Sequence, residues 1–215
     1  MPLINDAIKA DIERILQSIE REFRRTQGLI LTEDDLKCLL YGKLRSHLMC
    51  KPIRGHKIAG WDRIPWRTPT EDDRIYGTPI HTEVSWFDAN GKLTIKPDIT
   101  ILEPRWLSIL HGNNGERLPE KQFIFGGEAI IFELTFIRER TGADIGKKIK
   151  VMRDFSKVRK LRERLLRNGM GDSLFCYFVI FSKTNNMCAE FSHYLTEIRE
   201  GSWYKTVYAT GNVNF

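Results

Sequence analysis

Two stretches of the chain, Ala129–Phe136 and Leu174–Phe181, are apolar at nearly every position. A strand with one wet face alternates apolar and polar side chains, so runs of this kind belong to strands covered on both faces. Between them, from about Asp144 to Asn168, Ile145, Ile149, Met152, Val158, Leu161 and Leu165 predict a long helix with these side chains turned inward, and Gly169 follows as a stop. Strand, helix, strand in that order predicts a crossover that joins two parallel central strands, with helices on both faces of the sheet.

The flanking segments extend this α/β reading. Ile4, Ala7, Ile8, Ile12, Ile15, Leu16, Ile19 and Phe23 make an amphipathic helix over residues 3–26, with Gly28 beyond it. Residues 1–28 therefore read as an N-terminal helix, whose charged face docks on the domain or pairs with a second copy as a homodimer. Thr32 and Asp35 are spaced as a capping box, opening a helix that buries Leu36, Leu39, Leu40, Leu44 and Leu48 and ends near Leu48. Ile80–Phe87 and Lys92–Leu102 predict two strands joined by a turn at Asp88–Gly91, and Pro97 predicts a bulge or bend in the second. Glu103–Gly127 reads as a loop. A helix from about Met187 to Glu200 and a strand from Trp203 to Ala209 close the chain.

With 41% hydrophobic residues the chain is too apolar for a disordered protein, and it lacks the roughly 18 consecutive apolar residues of a membrane span. Residues 29–215 are expected to form one domain. Cys38, Cys50, Cys176 and Cys188 form no CxxC pair and no zinc spacing, and Met1–Asp6 carries no signal pattern, so a reduced, cytoplasmic protein is expected. A formal charge of +6 favours anionic partners. The 51–78 segment interleaves Arg54, Lys57, Arg63 and Arg67 with Trp61 and Trp66, a mixture suited to phosphates and stacked bases. The long helix adds Lys147, Lys148, Lys150, Arg153 and Lys157, followed by further arginines and lysines. Such a face repels itself unless an anion approaches, so nucleic-acid contact is expected there.

Two acids stand where acids are expensive. Asp98 falls inside the second predicted strand, and Glu133 interrupts the apolar run at 129–136. Strand alternation puts Glu133 and Thr135 on one face. Magnesium takes oxygen ligands, often one or two carboxylates plus water and substrate phosphate, so Asp98 and Glu133 on neighbouring strands are a candidate Mg2+ (or Mn2+) site.

Pro97-Asp98, then Glu133-Leu134-Thr135 in a buried strand, then the helix with Asp154, Lys157 and Leu161 together resemble the PD-(D/E)XK nuclease superfamily. The resemblance covers about residues 32–182. It implies a restriction-endonuclease-like mixed sheet with an αβββαβ core, here carrying an added N-terminal helix and a C-terminal helix and strand. It further implies Mg2+-dependent endonucleolytic hydrolysis of phosphodiesters, most often in DNA, with Asp98 and Glu133 as metal ligands and RNA left open. The motif lysine should stand where this chain has Thr135. Lys148 and Lys150, early in the next helix, are the leading substitutes, with Lys157 and Lys96 behind them. Glu83, with His81 on its face, is a further candidate ligand; the resemblance also allows Glu33, in the first turn of its helix, to reach the metal as first helices of the family sometimes do, but the favoured reading of Glu33 is a helix-dipole residue. Because a hydroxyl cannot supply the missing charge, a catalytically inactive protein of the same fold that binds nucleic acid or a protein partner is the alternative.

Overall fold

The computed structural model describes residues 3–26, 28–48, 79–84, 86–87, 93–102, 107–109, 123–125, 128–139, 141–167 and 171–211. Helix α1 (Asp6–Arg25) opens on Asn5, whose side chain accepts from the Ile8 N–H at 3.0 Å. Helix α2 (Glu33–Leu48) carries the expected capping box. Thr32 Oγ1 accepts from the Asp35 N–H at 3.1 Å, and Asp35 Oδ2 accepts from the N–H groups of Thr32 and Leu31 at 2.9 and 3.0 Å. Three donors that a helix start would leave unmatched are thereby satisfied.

A six-stranded mixed sheet lies at the centre. In chain order its strands are β1 (Ile80–Thr82), β4 (Ile99–Leu102), β7 (Ala129–Ile137), β8 (Leu174–Ser182), β9 (Glu200–Gly201) and β10 (Tyr204–Thr210). In space the order is β1-β4-β7-β8-β10-β9. The β1/β4, β4/β7 and β10/β9 pairs are antiparallel, whereas β7/β8 and β8/β10 are parallel. Helix α3 (Ile145–Arg167) makes the first parallel crossover and α4 (Ala189–Glu197) the second. The succession α2, β1, β4, β7, α3, β8 is therefore helix, three antiparallel strands, helix, parallel strand.

Alternation along β7 and β8 builds two cores. Ile130, Phe132, Leu134 and Phe136 of β7, with Phe175, Tyr177, Val179 and Phe181 of β8, pack under α1 and α2 against Ile12, Leu16, Ile19, Leu36, Leu40 and Leu44. Phe23 joins them, its ring 5.2 Å from Phe181 and 6.1 Å from Phe136. Each such side chain taken from water contributes about 1.5–3 kcal/mol. The apolar stripe of α1 is thus spent within its own chain, and its charged side is what remains for any second copy. On the opposite face Ile131, Cys176 and Phe178 meet Val158 and Leu161 of α3, and Ile137 and Ile180 meet Phe191 and Tyr194 of α4.

Four local readings change. The first predicted strand breaks at Glu83, whose φ of 54° is unfavourable for a residue with a Cβ, and resumes as β2 (Trp86–Phe87). The second breaks at Lys96-Pro97-Asp98 into β3 (Leu93–Ile95), which pairs with β2, and β4. Asp98 is therefore not inside a strand but in the bend just before β4. The 103–127 stretch contains β5 (Leu107–Ile109) paired antiparallel with β6 (Phe123–Phe125), each too short to show alternation. Ile145, Ile149 and Met152 do not face inward: they are 55%, 50% and 43% exposed, while Val151, Val158 and Leu161 are buried. At 100° per residue these two sets lie on opposite sides of α3, and the sheet takes the side that Val151 shares with Val158. No helix among the described residues is long and apolar enough to cross a membrane.

Candidate metal centre

The ladder between β4 and β7 ends where the acids begin. Ile99 pairs with Phe132, and the Asp98 N–H still reaches the Phe132 carbonyl at 3.1 Å. Beyond that point β4 offers no further strand to β7. The next donor on that edge, the Leu134 N–H, goes to Asp98 Oδ2 at 2.8 Å, and the one after it, the Phe136 N–H, goes to Glu33 Oε2 at 3.3 Å. Two carboxylates from outside the sheet thus complete the hydrogen bonding of the β7 edge.

The charge of Asp98 acts on Glu133. Burial pushes the Glu133 carboxyl well above its usual range, and the charges of Asp98 and Asp154 push it further, against Lys157 and Lys150. Asp98 is also raised, by burial first; the Leu134 N–H, Lys37 and Lys150 oppose this, while Glu33 adds to it. Glu133 is the one residue of β7 not fully buried, yet its Oε1 is enclosed and has no hydrogen-bond partner among the described residues. Thr135, 5% exposed, follows two residues on along the same alternation.

Helix α2 supplies a second group. Lys37 Nζ lies 3.0 Å from Glu83 Oε1, 3.2 Å from Asp34 Oδ1 and 3.6 Å from Asp98 Oδ1. Burial pulls the Lys37 ammonium down, but hydrogen bonds to Glu83 and Asp34 and the charges of Asp98 and Glu83 outweigh it, and the net shift is upward. Glu83 is half-exposed and held between Lys37 and Lys96, which is 3.0 Å from its Oε2; both cations lower its carboxyl. The structure thus engages Glu83 in ion pairs at the rim. Composition and strand pattern do not single out Lys37; its place one turn after Glu33, next to the buried Leu36, is the local signal that marks it.

Helix α3 divides the remaining candidates. Lys150 Nζ is 2.5 Å from Glu33 Oε2, and its charge reaches both Asp98 and Glu133. Lys157 pairs with Asp154 at 2.8 Å and acts on Glu133. Lys148 instead stands 5.9 Å from the centre of the Tyr194 ring, towards α4, and Lys147 pairs with Glu139 at 2.6 Å. Arg153 is exposed. Of the lysines considered as substitutes for the motif residue, the fold brings Lys150 and Lys157 into the field of the acids and turns Lys148 elsewhere. Arg54, Lys57, Arg63 and Arg67, with Trp61 and Trp66, lie outside the described residues.

The donor set suits a hard divalent cation. A buried carboxylate oxygen with no donor is costly, and a cation satisfies it directly. No group of three or more His, Cys, Asp or Glu side chains suited to holding a metal occurs among the described residues. A cation here would take two protein carboxylates, Asp98 and Glu133, and fill its remaining positions from water and substrate, the habit of Mg2+. A scan against protein-family models and searches of curated proteins and of solved structures return no match to this chain.

Proposed function

We propose that the chain is a Mg2+-dependent endonuclease of the restriction-endonuclease-like type, hydrolysing phosphodiester bonds in DNA. The observation that carries this reading is Asp98 tied to the β7 backbone at the end of the β4/β7 ladder, its charge acting on Glu133, whose enclosed Oε1 lacks a donor among the described residues. The succession of α2, β1, β4, β7, α3 and β8 also supports it, because that is the element order of the superfamily whose motif the sequence resembles.

Asp98 and Glu133 would hold the cation, which when bound supplies Lewis acidity to the phosphate and lowers the pKa of an attacking water. The Leu134 N–H fixes Asp98, so one ligand is oriented before anything binds. Lys150 contributes the positive charge that Thr135 cannot, close to where charge builds up on the phosphoryl oxygens. Exposed cations on α3 such as Arg153 meet the flanking phosphates.

Incubating the purified protein with plasmid and single-stranded DNA in Mg2+ or Mn2+ tests this reading. Cleavage by wild type that is lost in Asp98→Asn and Glu133→Gln is the expected result; no cleavage, or equal cleavage by the variants, ends it. Thr135 favours one alternative, a catalytically silent binder of nucleic acid or of a protein partner. That reading expects salt-sensitive DNA binding that survives Glu133→Gln and no Mn2+ uptake by calorimetry.

A further inference from the structure

Read from the sequence, Glu33 is a first-turn acid on α2, adequately explained by the helix dipole. The fold gives it two specific partners instead. One oxygen, Oε2, accepts from the Phe136 backbone N–H at 3.3 Å and from Lys150 Nζ at 2.5 Å. The remaining capping duties at this helix start are met by Thr32 and Asp35. We infer that Glu33 is a positioning residue: anchored on the β7 backbone beside Thr135, its carboxylate holds the Lys150 ammonium within reach of Asp98 and Glu133, where that ammonium replaces the absent motif lysine. This inference rests on the reading given under Proposed function.

Physical necessity for such a clamp follows from the side chain. A lysine is a point charge on a four-carbon stem with many rotamers, and one arriving from a helix has no strand backbone to aim it. A carboxylate tied to a backbone amide selects the rotamers that reach it. The arrangement is also mutually dependent. Glu33 brings a negative charge near Asp98, and Lys150 offsets it. Without Lys150 the acids would face one another uncompensated from that side; without Glu33 the ammonium, nearly half-exposed, would be free to turn to solvent.

Glu33→Gln separates this role from strand capping, because the amide oxygen can still accept from the Phe136 N–H while the ion pair is lost. Wild type, Glu33→Gln, Lys150→Met and the double variant are compared for plasmid cleavage in Mn2+. In parallel, the lysines are reductively methylated with 13C, and the Lys150 signal is assigned by its absence in Lys150→Met. The expected result is a Lys150 signal that moves in Glu33→Gln, a fall in kcat of about tenfold with KM unchanged, as outer partners of a site commonly give, and a double variant no slower than Lys150→Met. A Lys150 signal that stays in place, an unchanged kcat, a change confined to KM, or additive losses would overturn the inference. If Glu33→Gln does not fold, Lys150→Met alone carries the kinetic arm, and wild-type kcat in it overturns the inference. If wild type cuts nothing, the endonuclease reading fails, and the Lys150 signal by itself decides whether Glu33 holds the ammonium.

Discussion

Asp98 Oδ2 accepts the backbone N–H of Leu134 at 2.8 Å, so the acid that precedes β4 is fastened to the residue following the acid in β7. A hydrogen bond of this kind fixes the Asp98 carboxylate against the β7 backbone next to Glu133, and the effect of its charge on Glu133 is testable.

Burial, with the charges of Asp98 and Asp154, raises the Glu133 carboxyl in the folded protein, and that has a stability consequence when no metal is bound. A carboxyl whose folded pKa is raised contributes most below its unfolded value, and the contribution is lost as pH rises through the folded pKa. Glu133→Gln should therefore raise Tm at pH 8 by about 2–4 °C, equivalent to about 1 kcal/mol in a chain of this size, with the gain vanishing near pH 4. Thermal melts of both proteins across that range, without divalent ions, measure it; a lower Tm for the variant at pH 8 contradicts it.

Mn2+ or Mg2+ should stabilise wild type more at pH 8 than at pH 5, because at the lower pH the ion competes with a proton on Glu133. Ligand at one hundred times its Kd adds about 2.7 kcal/mol of stability. Differential scanning fluorimetry should register this shift in wild type and little or none in Asp98→Asn. Equal shifts in the two proteins would remove Asp98 from the centre.

The capping box at the start of α2 orients the helix that carries Glu33 and Lys37. Asp35→Ala should cost about 1 kcal/mol, read as a Tm lower by about 2–4 °C. Because Asp35 accepts from two amides, Asp35→Asn should retain much of that stability.

The phase of α3 makes a pair of opposite expectations. Leu161→Ala, at a buried position, should cost about 2–5 kcal/mol. Ile149→Ala, at a half-exposed one, should stay within about 0.5 kcal/mol of wild type. Urea denaturation of the two variants compares them, and similar losses would mean that Ile149 is covered.

Thiol chemistry distinguishes the cysteines. Burial pushes the Cys176 thiol well above its usual range, aided by Glu133, whereas Cys38 is exposed. In native protein Ellman's reagent should modify Cys38 promptly and Cys176 only on unfolding. Mass spectrometry of tryptic peptides identifies which residue reacted.

The central elements were legible because long apolar runs and helical spacing are local signals: β7, β8, α1 and the start of α2 fall within a few residues of their expected limits. Misreadings cluster where tertiary contacts decide. Pro97 announced a bend, but nothing local shows that β3 and β4 join different sheets. The phase of α3 was ambiguous because isoleucine and methionine lie on one side and valine and leucine on the other; the sheet selects between them. Asp98 and Glu133 stood out as acids among apolar residues. Lys150 could not be separated from Lys148 by spacing, since the choice depends on Glu33, more than a hundred positions earlier, reaching across to α3.

The edge of β7 past Phe132 has one further implication. Because Asp98 and Glu33 occupy the donors that a longer β4 would claim, the acids also limit how far that strand can grow. A slip of β4 by two positions would keep its side chains on the same faces of the sheet yet carry Asp98 away from its neighbour, leaving a folded molecule without the proposed cation site. Correct alignment during folding and competence in the finished protein are, at this edge, the same requirement.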